Sequence, residues 1–182
     1  IEFLRKYQED TAWQESRGRG DNIVQDKGAY ASGRHQVEGS KGSKRNETIL
    51  NRAYNFYQKN PNVAKNKEME YALSQRGKDL SFASLSGDTQ NALFYLDALM
   101  GYLPLDKLYS GELSNRDAWI EYWNQNPKAV YQKVIDGKLK DNLDFDLASR
   151  EEAEKKWAIA REEREDKKEG GLVSALQRRQ GL

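Results

Sequence analysis

The sequence predicts a mainly helical (α+β) fold: a helical body with a small irregular or β lobe, followed by a C-terminal helical extension. Apolar residues recur at helical spacing in several stretches. Six glycines interrupt residues 16–47, a composition that is typical of loops. Beyond residue 147 the chain becomes densely charged, which indicates an exposed helix outside the main core. We therefore expect a folded domain over residues 1–147 and an extension over residues 148–182.

The first helix is predicted over residues 1–15, because Leu4, Tyr7 and Trp13 continue one apolar face. The glycine-rich loop of residues 16–47 follows, with a short β-ribbon expected at residues 28–37.

Five further helices are predicted in the body. The clearest is rich in apolar residues and follows Ser86 and Asp88, either of which can cap it, so we expect it to be the central buried helix. Ser114 precedes the helix predicted over residues 116–125, and Gly77 can serve as the C-cap of the helix predicted over residues 63–77. The predicted ranges are 47–60, 63–77, 89–103, 116–125 and 128–139.

The extension contains favourable i,i+4 charge pairs such as Glu151–Lys155 and few large apolar residues, among them Trp157 and Ile159. We expect an exposed helix there that docks to a neighbouring chain.

Composition excludes several classes of function. The chain has 30 Lys and Arg against 29 Asp and Glu, so its charge gives no case for binding nucleic acid or a membrane surface. It has no apolar run near the ~18–20 residues of a membrane span. Without cysteine it can form neither disulfides nor thiolate sites, and its single histidine rules out a His-rich metal site. Because the first residue is Ile1, we expect a processed or excised piece of a longer protein.

Glu15 is the candidate catalytic residue. It follows Ala12 and Trp13 at the end of an apolar helical face, directly before the glycine-rich loop. A carboxyl packed against apolar groups has a raised pKa and can act as a general acid near neutral pH. The alternative is an ordinary surface glutamate at a helix end.

The motifs around Glu15 resemble those of the lysozyme-like lytic transglycosylases. "AWQES" is followed about twenty residues later by "SGRHQV", and "YWNQNPKAV" stands late in the domain. The first two are similar to the Glu-Ser and Gly-x-x-Gln motifs of that family and to the pattern of the phage lambda endolysin branch. The third is similar to its late Tyr-Asn motif, although Trp123 and Asn126 depart from that pattern.

The resemblance implies a lysozyme-like fold over about residues 1–139 and cleavage of peptidoglycan glycan strands by Glu15, with neither metal nor cofactor. It also implies a 1,6-anhydro product, which forms when the C6 hydroxyl of the sugar attacks in place of water.

Five further residues are candidates for binding the sugar, and each has another possible role. Gln36 could orient substrate or bond the loop backbone, and Asn124 could bind an N-acetyl group or cap the next helix. His35 could contact sugar or lie exposed in the loop, and it is a poor candidate for a triad base because no Gly-x-Ser-x-Gly motif is present. Tyr95 and Trp123 could stack on sugars or pack in the core.

A hydrolase of the lysozyme type is the alternative enzyme, and it needs a second carboxylate. Asp21 and Asp26 are the candidates, although the loop that carries them reads as a solvated turn.

The resemblance and the charged extension together suggest a segment of a phage virion protein that opens the bacterial wall, acting in the periplasm during genome entry or lysis. Residues 148–182 would then contact other virion proteins. A catalytically inactive lysozyme-like module, or a helical structural protein of the virion, is the alternative from a different class.

Overall fold

The structure is a computed structural model that describes residues 2–17, 20–24, 31–124 and 126–138, together with the isolated residues 151 and 155. Helices predominate in this part of the chain, so the mainly helical fold class is confirmed. The seven α-helices are α1 (Glu2–Ser16), α2 (Arg45–Lys59), α3 (Lys67–Ser74), α4 (Gly87–Asp97), α5 (Leu105–Ser110), α6 (Asn115–Ala118) and α7 (Pro127–Ile135). The prediction of an exposed helix in the extension lies outside the described residues.

None of the helices in the described ranges combines the length and the apolar character that crossing a lipid bilayer requires.

A two-stranded antiparallel hairpin forms the described part of the small lobe. Strand β1 (Ala31–Ser32) pairs with β2 (Val37–Glu38), and Ser32 lies opposite Val37. Val24 adds an isolated bridge to Ser32. The predicted β-ribbon is therefore confirmed, and its turn consists of residues 33–36.

Helix α4 lies at the centre of the helical body, as its apolar sequence predicts. Leu93 and Phe94 are fully buried, and α4 packs against both α1 and α2. Ser86 caps this helix, because its side chain accepts the Thr89 N–H. The side chain of Ser114 caps α6 in the same way.

Two helices that the sequence predicts as continuous widen into π-helical turns. The turn Ala98–Tyr102 follows α4, and the turn Trp119–Trp123 follows α6. In the second turn the Asn124 N–H donates to the Trp119 carbonyl, five residues back, at 2.8 Å. Hydrophobic periodicity cannot distinguish such a turn from an α-helix, and π-turns are frequent at functional sites.

The helix predicted over residues 63–77 is shorter in the structure. It begins after Asn66, whose side chain accepts the Met69 N–H at 2.7 Å, and its C-cap is Gln75. The prediction of Gly77 as the C-cap is therefore wrong, and Gly77 adopts a positive φ of 76° in the turn that follows. Helix α5 was not predicted.

A buried ion cluster joins α2 to α4. The Asp97 carboxylate is completely buried and accepts hydrogen bonds from Arg45 at 2.6 Å and from Arg52 at 2.7 Å. Both arginines lie on α2, and Asp97 ends α4, so the cluster fixes how the two helices pack. Sequence pattern gave no sign of it, because the partners are 52 and 45 residues apart.

Replacing Asp97 with Ala should destabilise the fold strongly, because two partly buried guanidinium groups would lose their shared counter-ion. Removing one member of a buried ion cluster costs about 3–5 kcal/mol. Urea denaturation measures the loss, with Asp106→Ala on the exposed surface of α5 as the control. A loss below about 1 kcal/mol for Asp97→Ala would show that the cluster does not hold the helices together.

Candidate active site

Glu15 lies at the next-to-last position of α1, and its side chain is half-buried. The indole N–H of Trp119 donates a hydrogen bond to Glu15 Oε1 at 2.6 Å. Trp119 begins the second π-turn, so that turn carries the group that holds the carboxyl in place. The last turn of α1 has no basic residue, but the charge of Arg17, which follows the helix, favours the ionised carboxyl.

Burial raises the pKa of the Glu15 carboxyl to about 7. The hydrogen bonds from Trp119 and Trp123 oppose this rise, and the charge of Glu38 adds to it. The C-terminal end of a helix also disfavours a negative charge. The carboxyl can therefore hold a proton near neutral pH and release it readily, as a general acid must.

Glu15 faces a pocket of about 210 Å³. Such a volume is below the ~300–1,000 Å³ of pockets that enclose drug-sized ligands, so the pocket can enclose only part of a longer ligand. The lining residues are Glu15, Gln36, Glu38, Arg45, Trp123, Asn124 and Asn126. The pocket thus brings together four of the six predicted site residues, namely Glu15, Gln36, Trp123 and Asn124.

The amide nitrogen of the Gln36 side chain is hydrogen-bonded, and the amide oxygen is not. Its Nε2 donates to the Gly33 carbonyl at 2.7 Å, which is the loop-bonding role that the sequence left open. Its Oε1 is buried and has no hydrogen-bond partner among the described residues. Because buried polar atoms are rarely left unpaired, this oxygen is a candidate acceptor for a ligand N–H or O–H.

Gln90 on α4 fixes the hairpin that carries Gln36. Its Oε1 accepts the Arg34 N–H at 2.8 Å, and its Nε2 donates to the carbonyls of Asp21 and Leu85, each at 2.9 Å. Gly33 has a positive φ of 75°, and a Cβ there would collide with Gln90 Oε1. Glycine at position 33 therefore lets the turn approach α4.

His35 lies in the core rather than at the pocket. It is 1 % exposed, and its ring stacks on Phe94 with 4.3 Å between centroids. His35 Nε2 lies 3.2 Å from Asn91 Oδ1, and burial lowers the pKa of the imidazole to about 3. The imidazole is therefore neutral and packed, and both predicted roles, as a sugar contact and as an exposed loop residue, are corrected by its burial.

Tyr95 is also absent from the pocket lining, since it lies half-buried against the core on α4. The core-packing alternative describes its position.

Trp123 packs in the core and also lines the pocket. It is 8 % exposed, and its ring packs on Phe94 and Tyr102 with centroid distances of 5.1 and 5.8 Å. Its remaining surface lines the pocket. Trp123 therefore joins this aromatic cluster to the pocket wall.

Asn124 lines the pocket, and capping of the next helix falls to its neighbour Asn126. The Asn126 Oδ1 accepts the Ala129 N–H at 3.3 Å, while Asn124 Oδ1 accepts the Asn126 N–H at 2.9 Å. The departure from the family motif at position 126 thus has a structural role at the start of α7.

The second carboxylate in the pocket is Glu38, which the sequence reasoning missed. Its Oε2 accepts the Ser43 N–H at 2.9 Å. Asp21, by contrast, is paired with Arg34 at 2.6 Å and does not line the pocket, and Asp26 lies outside the described residues. Glu38 ends strand β2, two residues after Gln36 in the turn, and only its closeness in sequence to Gln36 was a signal that could have drawn attention to it.

No group of three histidine or acidic side chains in the part of the chain that the structure describes could hold a metal ion.

The chain was compared with protein-family models, with curated proteins and with solved structures, and no match was found in any of the three comparisons.

Glu15→Gln should stabilise the protein at pH 8 and leave its stability unchanged at pH 4. The folded state holds the Glu15 proton more tightly than the unfolded chain, because the pKa is about 7 against an ordinary 4.5. Wild-type stability therefore falls as the pH rises from about 4.5 through 7, whereas Gln cannot ionise. We expect a gain on the order of 2–3 kcal/mol at pH 8 in urea unfolding.

The control is Glu70→Gln on the exposed surface of α3, which makes the same chemical change. Equal or lower stability of Glu15→Gln at pH 8 would mean that the ionised carboxyl at position 15 is well solvated.

Proposed function

We propose that this chain is a lytic transglycosylase that cleaves the glycan strands of peptidoglycan with Glu15 as general acid and base. The observation that carries the proposal is the half-buried Glu15 carboxyl, which faces a pocket and has a pKa raised to about 7. A protonated carboxyl in such a place can donate to the glycosidic oxygen while water is partly excluded.

The reaction needs no group beyond Glu15 and the substrate. Glu15 donates its proton to the glycosidic oxygen as the bond to C1 of N-acetylmuramic acid breaks, which releases the next sugar as an alcohol. The carboxylate then accepts the proton of the C6 hydroxyl, and the C6 oxygen bonds to C1. This step closes the 1,6-anhydro ring and restores protonated Glu15.

Residues from all three resembling motifs line this one pocket. Gln36 comes from the second motif, and Trp123 and Asn124 come from the third. The unpaired Gln36 Oε1 would accept a hydrogen bond from a hydroxyl or an N-acetyl N–H of the sugar. The Trp123 ring offers the apolar surface on which sugars stack.

The wider setting that we propose follows from the same resemblance. The helical body and the hairpin would form a lysozyme-like fold, with the substrate cleft between them. The chain would belong to a phage virion protein that acts on the bacterial wall, and residues 148–182 would dock to other virion proteins.

Lysozyme-type hydrolysis is the second candidate, and Glu38 is the observation that favours it. A hydrolase uses a second carboxylate as nucleophile or as base for water. Glu38 lines the same pocket and is close enough for its charge to raise the Glu15 pKa. The products distinguish the two reactions, because hydrolysis leaves a reducing end and transglycosylation leaves an anhydro end.

Glu15→Gln should abolish peptidoglycan cleavage, because Gln keeps the shape and the Trp119 hydrogen bond but has no proton to donate. We expect a loss of about 10²–10⁴-fold in the rate of release of soluble muropeptides. Wild-type kcat/KM should also fall above about pH 7, where the acid ionises. Retention of more than about a tenth of the rate in a folded variant would exclude Glu15 as the acid.

Wild-type digests should contain 1,6-anhydro muropeptides in mass spectrometry, and Glu38→Gln should still yield them. Removing the Glu38 charge should lower the Glu15 pKa and move the alkaline fall in kcat/KM to lower pH. Asp21→Asn is the matched control, since its carboxylate is paired with Arg34 away from the pocket. Reducing-end products only, together with an inactive Glu38→Gln, would establish the hydrolase instead.

A further inference from the structure

Arg45 places a positive charge in the pocket beside the candidate acid. It is the first residue of α2 and lines the pocket together with Glu15 and Gln36. Its side chain is 17 % exposed, so most of it is buried while part of it reaches the pocket surface. The catalytic steps proposed above make no use of this group.

The surroundings hold the Arg45 guanidinium firmly. It donates to Asp97 at 2.6 Å and lies over the rings of Tyr102 and Trp123, with 4.9 and 5.2 Å from Cζ to the centroids. Among the described residues, Asp97 is the only acceptor of its side-chain hydrogen bonds, although a guanidinium carries five N–H donors. Several of its donors therefore have no acceptor among the described residues, and the ion pair and the two rings fix the orientation of the group.

The charge around Arg45 is not balanced by Asp97. One carboxylate faces two guanidinium groups, so Asp97 alone does not neutralise the cluster. Glu38 lines the same pocket but forms no ion pair with Arg45 in the part of the chain that the structure describes. A fixed cation with unused N–H groups is suited to a carboxylate, which it binds through charge-assisted hydrogen bonds.

We propose that Arg45 determines substrate choice by binding a carboxylate on the glycan, so that the pocket prefers acidic saccharides to neutral N-acetylglucosamine. The inference rests on the proposed function, because it takes the ligand to be a saccharide. In peptidoglycan the carboxylate has two sources. Peptide-free N-acetylmuramic acid carries it on its lactyl ether, and a substituted residue carries it on the stem peptide.

Binding of uncleavable single sugars tests the inference. Isothermal titration or NMR titration of the full chain would use N-acetylmuramic acid, N-acetylmuramyl-L-alanyl-D-isoglutamine and N-acetylglucosamine. The second ligand has its lactyl group in an amide and carries its carboxylate on the peptide, so it distinguishes the two sources. We expect at least one acidic ligand to bind roughly tenfold more tightly than N-acetylglucosamine.

The variants Arg45→Gln and Arg52→Gln form a matched pair. Each removes one of the two partners of Asp97, but only Arg45 lines the pocket. Arg45→Gln should reduce the ratio of the affinity for the acidic sugar to that for N-acetylglucosamine to about one. Arg45→Lys should keep part of the wild-type ratio, and Arg52→Gln should keep all of it. A purely structural role would affect the two glutamine variants alike.

Three results would overturn the inference: equal binding of all three sugars by the wild type, no binding of any of them, or loss of the preference in both glutamine variants. Because single sugars contain no bond to cleave, the outcome does not depend on activity. A chain that cleaves peptidoglycan but binds the three sugars equally contradicts this inference alone. A chain that prefers the acidic sugars but cleaves no glycan contradicts the proposed function alone.

Discussion

Desolvation of the Glu15 carboxyl is the constraint on which the candidate site depends. The residue is half-buried at the C-terminal end of α1, where the helix dipole also disfavours a negative charge, and the hydrogen bond from the Trp119 indole offsets only part of this cost. Its ionised form is therefore costly, and the pKa rises to about 7. A surface position would leave the same residue ionised at neutral pH, with no proton to donate to a leaving group.

The rest of the fold holds the surroundings of that carboxyl in place. The π-turn Trp119–Trp123 contains the two tryptophans that hydrogen-bond to the carboxyl, and the ring of Trp123 also lines the pocket. Gln90 clamps the hairpin, and with it Gln36, against α4. The Asp97 cluster fixes α2 against α4 and orients Arg45. Each of these contacts joins segments far apart in sequence, so the site exists only in the folded chain.

The sequence predicted what depends on local chemistry. Apolar spacing and the caps at Ser86 and Ser114 gave the helix positions closely, and the glycine-rich segment gave the hairpin. Glu15 could be identified because the apolar residues before it and the glycine-rich loop after it are its neighbours in the sequence. Hydrophobic periodicity did not predict where α3 begins and ends, because side-chain caps and packing determine its ends. For the same reason it did not predict that two helices widen into π-turns.

Long-range contacts account for the residues that the sequence placed incorrectly or missed. His35 reads as an exposed loop residue, yet Phe94 on a distant helix buries it. Glu38 and Arg45 read as ordinary charged loop residues, and only the folded pocket brings them to Glu15. The most direct test of the account is the pKa of Glu15 itself, measured by NMR titration of the ¹³C-labelled side-chain carboxyl with Glu15→Gln to assign the resonance. The account predicts a value near 7; a value near the ordinary 4.5 of a glutamate would contradict it.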